Sequence, residues 1–452
     1  MDILENRELN SMKKIKKDKK TNKGLIIFFL INGSFIFLIF SPYISNLYNA
    51  WLDDQFLEGI DKKINSVRKN DFKILIKYVN GTPLSNVEIN YNLIKHDFYF
   101  GCNIFEFDIL DNQEENDLYK NYFKNLFNFA TLPFYWNRYE PKENDYPLDS
   151  WLENITIWCK ENNITTKGHP LIWRNSNLIP DWVDPYDNDK ISEVLKERIE
   201  SVMTKYKGKI DVWDVVNEPT HLPSFGSLSV EQYVYKCYKW AHNADPNVLL
   251  TINDYGIIGH DFGYGPYYNL ISRLLDKDVP IKCIGMQGRE PRTDWIPAIE
   301  IWNTLEAYSI FDLPIHITEF TCPSSGFPIT NSWKKGTWTE KNQAEYAERF
   351  YKVCFSHPSV EAIIWWDLYD GRSWVKNGGL IYENWEKKEV YNRLDNLINK
   401  EWHTEGSGTT DSKGYLKFNG FYGYYNISIP ILGIFRQIYA QKGGDTTFEI
   451  II

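Results

Sequence analysis

From Phe98 to about residue 400 the chain alternates two textures. Short apolar runs, rich in β-branched and aromatic residues, give way to longer stretches whose apolar positions recur three and four apart. The first texture suits strands buried on both faces, the second helices with one buried stripe. Strand ends fall near Asn103, Trp136, His169, Glu218, Asp254, Gln287, Glu319 and Trp366, with helical stretches such as 192–206, 230–241 and 340–355 between strands. The ends lie about 32 to 49 residues apart, and a βα unit of an eight-stranded barrel takes roughly 30. The pattern therefore predicts an α/β protein, a (β/α)8 TIM barrel over residues 98–400. A doubly wound open sheet would carry a Gly-rich phosphate turn after its first strand, and this chain has none.

The flanks read differently. Residues 72–79 form a β-rich run, Asn80-Gly81 is a tight-turn signal, and 87–93 can return as the partner strand. This predicts an N-terminal β hairpin over 72–97, preceded by a linker at 51–71. Residues 401–452 carry short β runs at 415–418, 424–429 and 448–452. They predict a small C-terminal β domain that joins the hairpin in one β-sandwich beside the barrel.

Seven lysines lie between Lys13 and Lys23, and no residue from Gly24 to Leu52 is charged. A basic flank before an apolar run is the pattern of a signal peptide or signal-anchor. A span of that length exceeds the roughly 20 residues needed to cross a bilayer. Residues 1–50 are thus expected to be a cytoplasmic basic stretch and a transmembrane or signal segment. An uncleaved anchor is favoured because no small-x-small cleavage site follows. The rest would lie on the extracellular face, membrane-anchored or secreted.

The net charge of −10 over the whole chain argues against nucleic acid, whose phosphates need a basic face, and the only dense basic block is the N-terminal one. The six cysteines have no metal-type or disulfide-framework spacing. No cofactor and no metal are expected: Asp367 and Asp370 have no His or Cys spaced to help them. Aromatics make 16% of the chain, enough to supply stacking surfaces for sugar rings as well as a core. Asn154-Ile155-Thr156 and Asn163-Ile164-Thr165 match glycosylation acceptors, a triplet common by chance.

Chemistry enters through two strand ends. Val212-Trp213-Asp214-Val215-Val216-Asn217-Glu218-Pro219 and Pro314-Ile315-His316-Ile317-Thr318-Glu319-Phe320 are core-type runs that end in a glutamate. In such barrels the C-terminal strand ends carry the chemistry. Two carboxyls facing one cleft are what glycoside cleavage requires, one as acid and one as base or nucleophile. Asn217, next to Glu218, offers an amide to a sugar hydroxyl. Glu319, in a plainer run, suits a fixed nucleophile. His169 is read as sugar-binding from its place next to Trp173. Trp366 is expected to face the cleft, Trp365 to pack under a helix, and Trp213 to be core. Tyr135 and Trp136 could stack on sugar or plug the barrel rim.

These motifs resemble glycoside hydrolase family 10, the retaining β-1,4-xylanases, over about residues 66–398. The resemblance implies that Glu218 is the acid/base and Glu319 the nucleophile. Lys167-Gly168-His169-Pro170-Leu171-Ile172-Trp173 is similar to the strand whose His binds the sugar beside the scissile bond. Ile252-Asn253-Asp254-Tyr255 and Ile284-Gly285-Met286-Gln287 match the fifth and sixth strands. Trp365 to Trp374 match the eighth strand and its loop, implying that Trp366 and Trp374 wall the site. The substrate-binding set is thus Asn217, His169, Trp173, Trp136, Gln287, Arg289, Trp366 and Trp374. The chain departs from the family at Tyr135, where a Lys is usual, and at Arg174 and Arg289, where His is usual. The expected activity is double displacement on a β-linked polysaccharide or oligosaccharide, xylanase-like. A retaining enzyme for another glycan and a non-catalytic cell-surface glycan-binding protein are the alternatives.

Overall fold

The computed structural model describes residues 35–288 and 292–452. The chain divides after Leu52 into two units. Helix α1 (Phe35–Glu58) is followed by α2 (Ile60–Arg68). Among the described residues no helix is long and apolar enough to cross a membrane. Residues 24–34 of the expected membrane segment, and the lysine block before it, lie outside the described residues.

Residues 51–71 are not a linker. In α2, Ile60, Ile64 and Arg68 are spaced four apart and buried on one face. The Arg68 guanidinium ends this face by donating to the carbonyls of Phe355, His357 and Val360 at 2.6–2.7 Å. It thereby satisfies carbonyls at and beyond a helix C-terminus that have no partner within the helix. Charged and apolar residues alternate here at helical period, which resembles a linker when read only for its polarity.

The strands are β1 (Lys69–Lys77), β2 (Glu88–His96), β3 (Tyr99–Asn103), β4 (Phe129–Pro133), β5 (Thr165–His169), β6 (Ile172–Trp173), β7 (Val212–Asn217), β8 (Leu249–Asp254), β9 (Cys283–Gln287), β10 (Ile315–Phe320), β11 (Val360–Trp365), β12 (Glu405–Thr409), β13 (Tyr415–Phe421), β14 (Gly423–Ile429), β15 (Ile434–Ala440) and β16 (Thr447–Ile451). Strands β3 to β11 form one parallel sheet in cyclic order, and pairing of β7 with both β5 and β6 closes it. β5 and β6 occupy a single position, so the barrel has eight. The (β/α)8 expectation is met.

Helices α3 (Gln113–Leu126), α4 (Trp136–Tyr139), α5 (Asp149–Glu161), α6 (Ile191–Lys205), α7 (Val230–Ala244), α8 (Pro266–Leu275), α9 (Ala298–Ser309), α10 (Glu340–Ser356) and α11 (Glu389–Asn396) lie along the chain between and after the barrel strands. Several start where the sequence supplies a cap. Ser229 and Gln232 form a reciprocal capping box at α7, and Thr339 caps α10. One glycine is dictated by packing: a Cβ on Gly168 would lie 2.1 Å from the Trp213 ring. Trp213 and Trp365 are buried core residues. All six cysteines are buried and free.

The expected 72–97 hairpin does not form as a strand pair. Its turn exists, with Gly81 N–H donating to Tyr78 O at 2.8 Å. Beyond it the strands part. β1 sits between β13 and β16, so both of its edges are taken, while β2 joins a second sheet in the order β12-β2-β14-β15. The two sheets share an aromatic contact zone in which Phe418 meets Phe72 at 5.5 Å and stacks on Tyr91 at 4.2 Å. Local turn chemistry was legible, but the partners of β1 lie more than 300 residues away.

Candidate active site

Glu218 follows β7 and Glu319 lies near the end of β10, at the same C-terminal mouth of the barrel. Both are buried, 7% and 2% exposed. Both also adopt left-handed backbone, with φ of 54° and 55°. That conformation costs a residue with a Cβ about 1–2 kcal/mol, and such strain gathers at functional sites. Here it undoes strand alternation. Thr318 and Glu319, neighbours that would face opposite sides of a sheet, both bond to Asn253, as does Asn217, while Glu218 bonds to Gln287 and Trp173.

Asn253, at the end of β8, holds that network together. Its Nδ2 donates to Glu319 Oε1 at 3.0 Å and to Asn217 Oδ1 at 2.8 Å, while its Oδ1 accepts from the Thr318 hydroxyl at 2.5 Å. This fixes the Asn217 amide with its oxygen toward Asn253. The Asn217 Nδ2 is buried and has no hydrogen-bond partner among the described residues. Glu218 accepts from Gln287 Nε2 at 2.9 Å and from the Trp173 indole N–H at 3.0 Å. The loop after Glu218 is tied down by Asp254. Its carboxylate accepts from the Thr220 backbone and hydroxyl, the Tyr255 N–H and His221 Nδ1. The bond to Asp254 raises the pKa of His221.

Below the mouth, inside the barrel, Asp214 Oδ2 lies 2.7 Å from both Lys167 Nζ and His169 Nδ1. Burial acts to raise the Asp214 pKa, but the Lys167 ammonium and the His169 bond outweigh it and leave the carboxyl below its usual range. The bond to Asp214 orients the His169 ring, and its Nε2 sits 3.9 Å from Glu319 Oε1. Among the described residues no cluster of His, Cys, Asp or Glu could hold a metal.

The mouth has an aromatic wall. Trp366, 5% exposed, meets His169 at 5.4 Å and Phe105 at 5.5 Å, both edge-on. Tyr135 lies edge-on to His169 at 5.7 Å and near Trp173 at 6.0 Å. Trp374 is 62% exposed, with the Arg292 guanidinium 5.6 Å from its ring. Trp136 is placed otherwise: it opens α4, is buried against Trp182, and donates its indole N–H to Glu140 at 3.1 Å. Arg174 packs on Tyr186 and Phe225 and donates to Ser224 O, a contact with loop residues beyond Glu218. Arg289 lies outside the described residues.

Asn253, Asp214, Lys167, Phe105 and His221 were not singled out from sequence. The first three sit inside the very runs that end in site residues, a signal that alternation at a barrel strand could have carried. Phe105 and His221 come from loops and had none.

The family model for glycosyl hydrolase family 10 matches residues 90–397. Endo-1,4-beta-xylanase B of Thermotoga neapolitana is 30% identical over 59% of this chain and 78% of its own length. Anti-sigma-I factor RsgI6 of Acetivibrio thermocellus is 27% identical over 84% of this chain, which spans only 47% of that relative. Among solved structures, xylanase 10B from Thermotoga maritima aligns with a TM-score of 0.58 at 27% identity, covering 68% of this chain and 96% of that one. The chain therefore belongs to glycosyl hydrolase family 10.

Proposed function

We propose that this chain is a retaining β-glycoside hydrolase that cleaves a β-linked polysaccharide, in the first place β-1,4-xylan, by double displacement. The observation that supports it best is the pair of buried glutamates in left-handed backbone at one mouth of the barrel, Glu319 held by Asn253 and Glu218 by Gln287 and Trp173. Retention requires the two carboxyls about 5–5.5 Å apart.

In this reading Glu319 attacks the anomeric carbon. Asn253 fixes its carboxylate, so little reorganisation is needed as charge moves onto the sugar. Glu218 protonates the leaving oxygen, then takes a proton from the water that releases the glycosyl-enzyme. Gln287 and the Trp173 indole orient it through both steps. The unpaired Asn217 amide donates to the sugar 2-hydroxyl, a bond that strengthens in the transition state. His169 contacts the same sugar, and Trp366 and Trp374 bound the groove. Trp136, buried against Trp182 with its indole N–H on Glu140, is read as structural rather than substrate-binding. Arg289 is assigned to substrate binding from its motif position alone.

Tyr135 and Phe105 favour a second version of this reading, a retaining enzyme for another β-glycan. They place aromatic edges where the family resemblance implies a lysine ammonium. The lysine block and the uncharged stretch from Gly24 to Leu52 support attachment to a membrane, with the barrel on the outer side.

Reducing-sugar release from xylan, β-1,4-glucan and β-1,4-mannan, with Glu319→Ala as control, tests the proposal. Release that vanishes in the variant and returns with azide is expected. No release from any polymer would leave a glycan-binding protein, and near-normal release by Glu319→Ala would end the assignment.

A further inference from the structure

The four-stranded sheet of the sandwich has one face with no role in the site above. In β14, Tyr425 and Ile427 point inward and are buried, while Tyr424 and Asn426 point out. Strand register sets the outward side chains in rows across neighbouring strands. One row is Lys95, Tyr424 and Tyr439. The next is Glu405, Asn92, Asn426 and Gln437. The third is Ser407, Asn90, Ser428 and Phe435.

The tyrosines of the first row form a fixed platform. Their rings stack at 4.2 Å with 9° between planes, and each residue is 37% exposed. The Tyr439 hydroxyl donates to Asp97, whose second oxygen accepts the Lys442 N–H at 3.1 Å. Beside this platform opens a cavity of about 360 Å³. Tyr424 and Gln437 line it on the sheet side, and Asn125, Asn128, Asn162 and Asn163 on the barrel side. The Asn128 amide bonds to the backbone of His96, Phe98 and Phe100 and the Asn162 Nδ2 to Trp158 O, so Asn125, Asn163 and Gln437 are the amides offered to a ligand. Those asparagines precede β4 and β5. The cavity thus lies at the N-terminal end of the barrel, opposite the glutamates.

Aromatic faces beside neutral amides suit one ligand class. A pyranose ring offers an apolar C–H face to a tyrosine and hydroxyls that both donate and accept, which side-chain amides match. The rows contain one lysine and one glutamate and the cavity adds Lys124, two ammonium groups where a polyanion needs an extended basic face. Amides interleave with the aromatics, so the face is not the contiguous apolar patch of a protein interface.

We propose that the Tyr424–Tyr439 platform and the cavity beside it form a second binding site for a β-linked glycan chain, remote from the catalytic mouth. Its ligand class rests on the proposed substrate. Two sites on one polymer raise the effective concentration of chain at the mouth without any new catalytic contact.

The test is affinity electrophoresis of the full chain carrying Glu319→Ala, in gels containing soluble β-1,4-xylan or β-1,4-glucan, with and without Tyr424→Ala. Loss of tyrosine stacking is expected to weaken polymer binding about three- to ten-fold. Gln437→Ala, an exposed substitution that the fold tolerates, should weaken it in the same direction. In the active protein, Tyr424→Ala should raise KM for polymer and leave turnover of an aryl β-xyloside unchanged. The binding arm reads even if the chain hydrolyses nothing, so failure of the proposed activity is separable from failure of this site. Unchanged retardation of both variants on both polymers would overturn the proposal. So would a dimer in sedimentation that Tyr424→Ala converts to monomer while polymer binding stays the same.

Discussion

Replacing Lys167 with methionine removes one half of an ion pair that the barrel has taken out of water. The Lys167 and Asp214 side chains are 1% and 0% exposed and 2.7 Å apart. At an effective dielectric of about 20, attraction at that distance is about 6 kcal/mol. Burying the two ions costs several kcal/mol each, so the intact pair contributes little net stability. Removing the ammonium alone leaves the carboxylate with its burial cost and only His169 as donor. The expected loss is about 3–5 kcal/mol.

The pH dependence gives the sign. In the parent, the folded Asp214 pKa is depressed. Its stabilisation is present above the unfolded value, about 3.9, and is lost as pH falls through the lower folded value. In Lys167→Met the burial effect dominates, the folded carboxyl pKa rises, and the deficit grows as pH climbs above about 4. Denaturant midpoints at pH 5 and pH 8 should show a larger loss at pH 8. Lys167→Met combined with Asp214→Asn should be less destabilised than Lys167→Met alone. A loss below about 1 kcal/mol that does not vary with pH would refute the reasoning.

Three further outcomes follow from named contacts. Burial lowers the pKa of His316 to about 3 and of His96 and His357 to about 4. The unfolded chain then binds more protons below about pH 6.5, so stability should fall from there toward pH 4, by up to about 1.4 kcal/mol per pH unit per histidine. His316→Leu should reduce that slope by one proton, and a flat profile in the parent would contradict the assignment. Asn253→Ala removes the donor to Glu319 and should lower kcat on an aryl glycoside about 100-fold with a smaller change in KM; steady-state kinetics read it directly. Gly168→Ala forces a Cβ against the buried Trp213 ring and should cost about 1–3 kcal/mol, read as a lowered Tm.

The barrel was legible because most of its strands are buried on both faces and therefore appear as mainly apolar runs. Seven of the eight expected strand ends fall within one residue of the observed ones; the second, expected at Trp136, lies at Pro133. There the chain passes directly into α4, whose aromatic sequence continues the strand's texture. The two glutamates were legible for the same reason, since a carboxylate ending a core strand is conspicuous. Their left-handed backbone was not, because nothing in the residue types at 218 and 319 requires it. Sequence also could not show that Trp136 spends its indole N–H on Glu140, since that partner lies one helical turn ahead and faces inward. The split of β1 and β2 between two sheets depends on β13 and β16 taking both edges of β1, a pairing no local pattern records.

The most direct measurement is the anomeric configuration of the first product, followed by proton NMR before mutarotation. If Glu319 forms a covalent glycosyl intermediate, the sugar released from a β-linked substrate appears first as the β anomer. An α anomer appearing first would mean a single displacement by water, and Glu319 would not be the nucleophile.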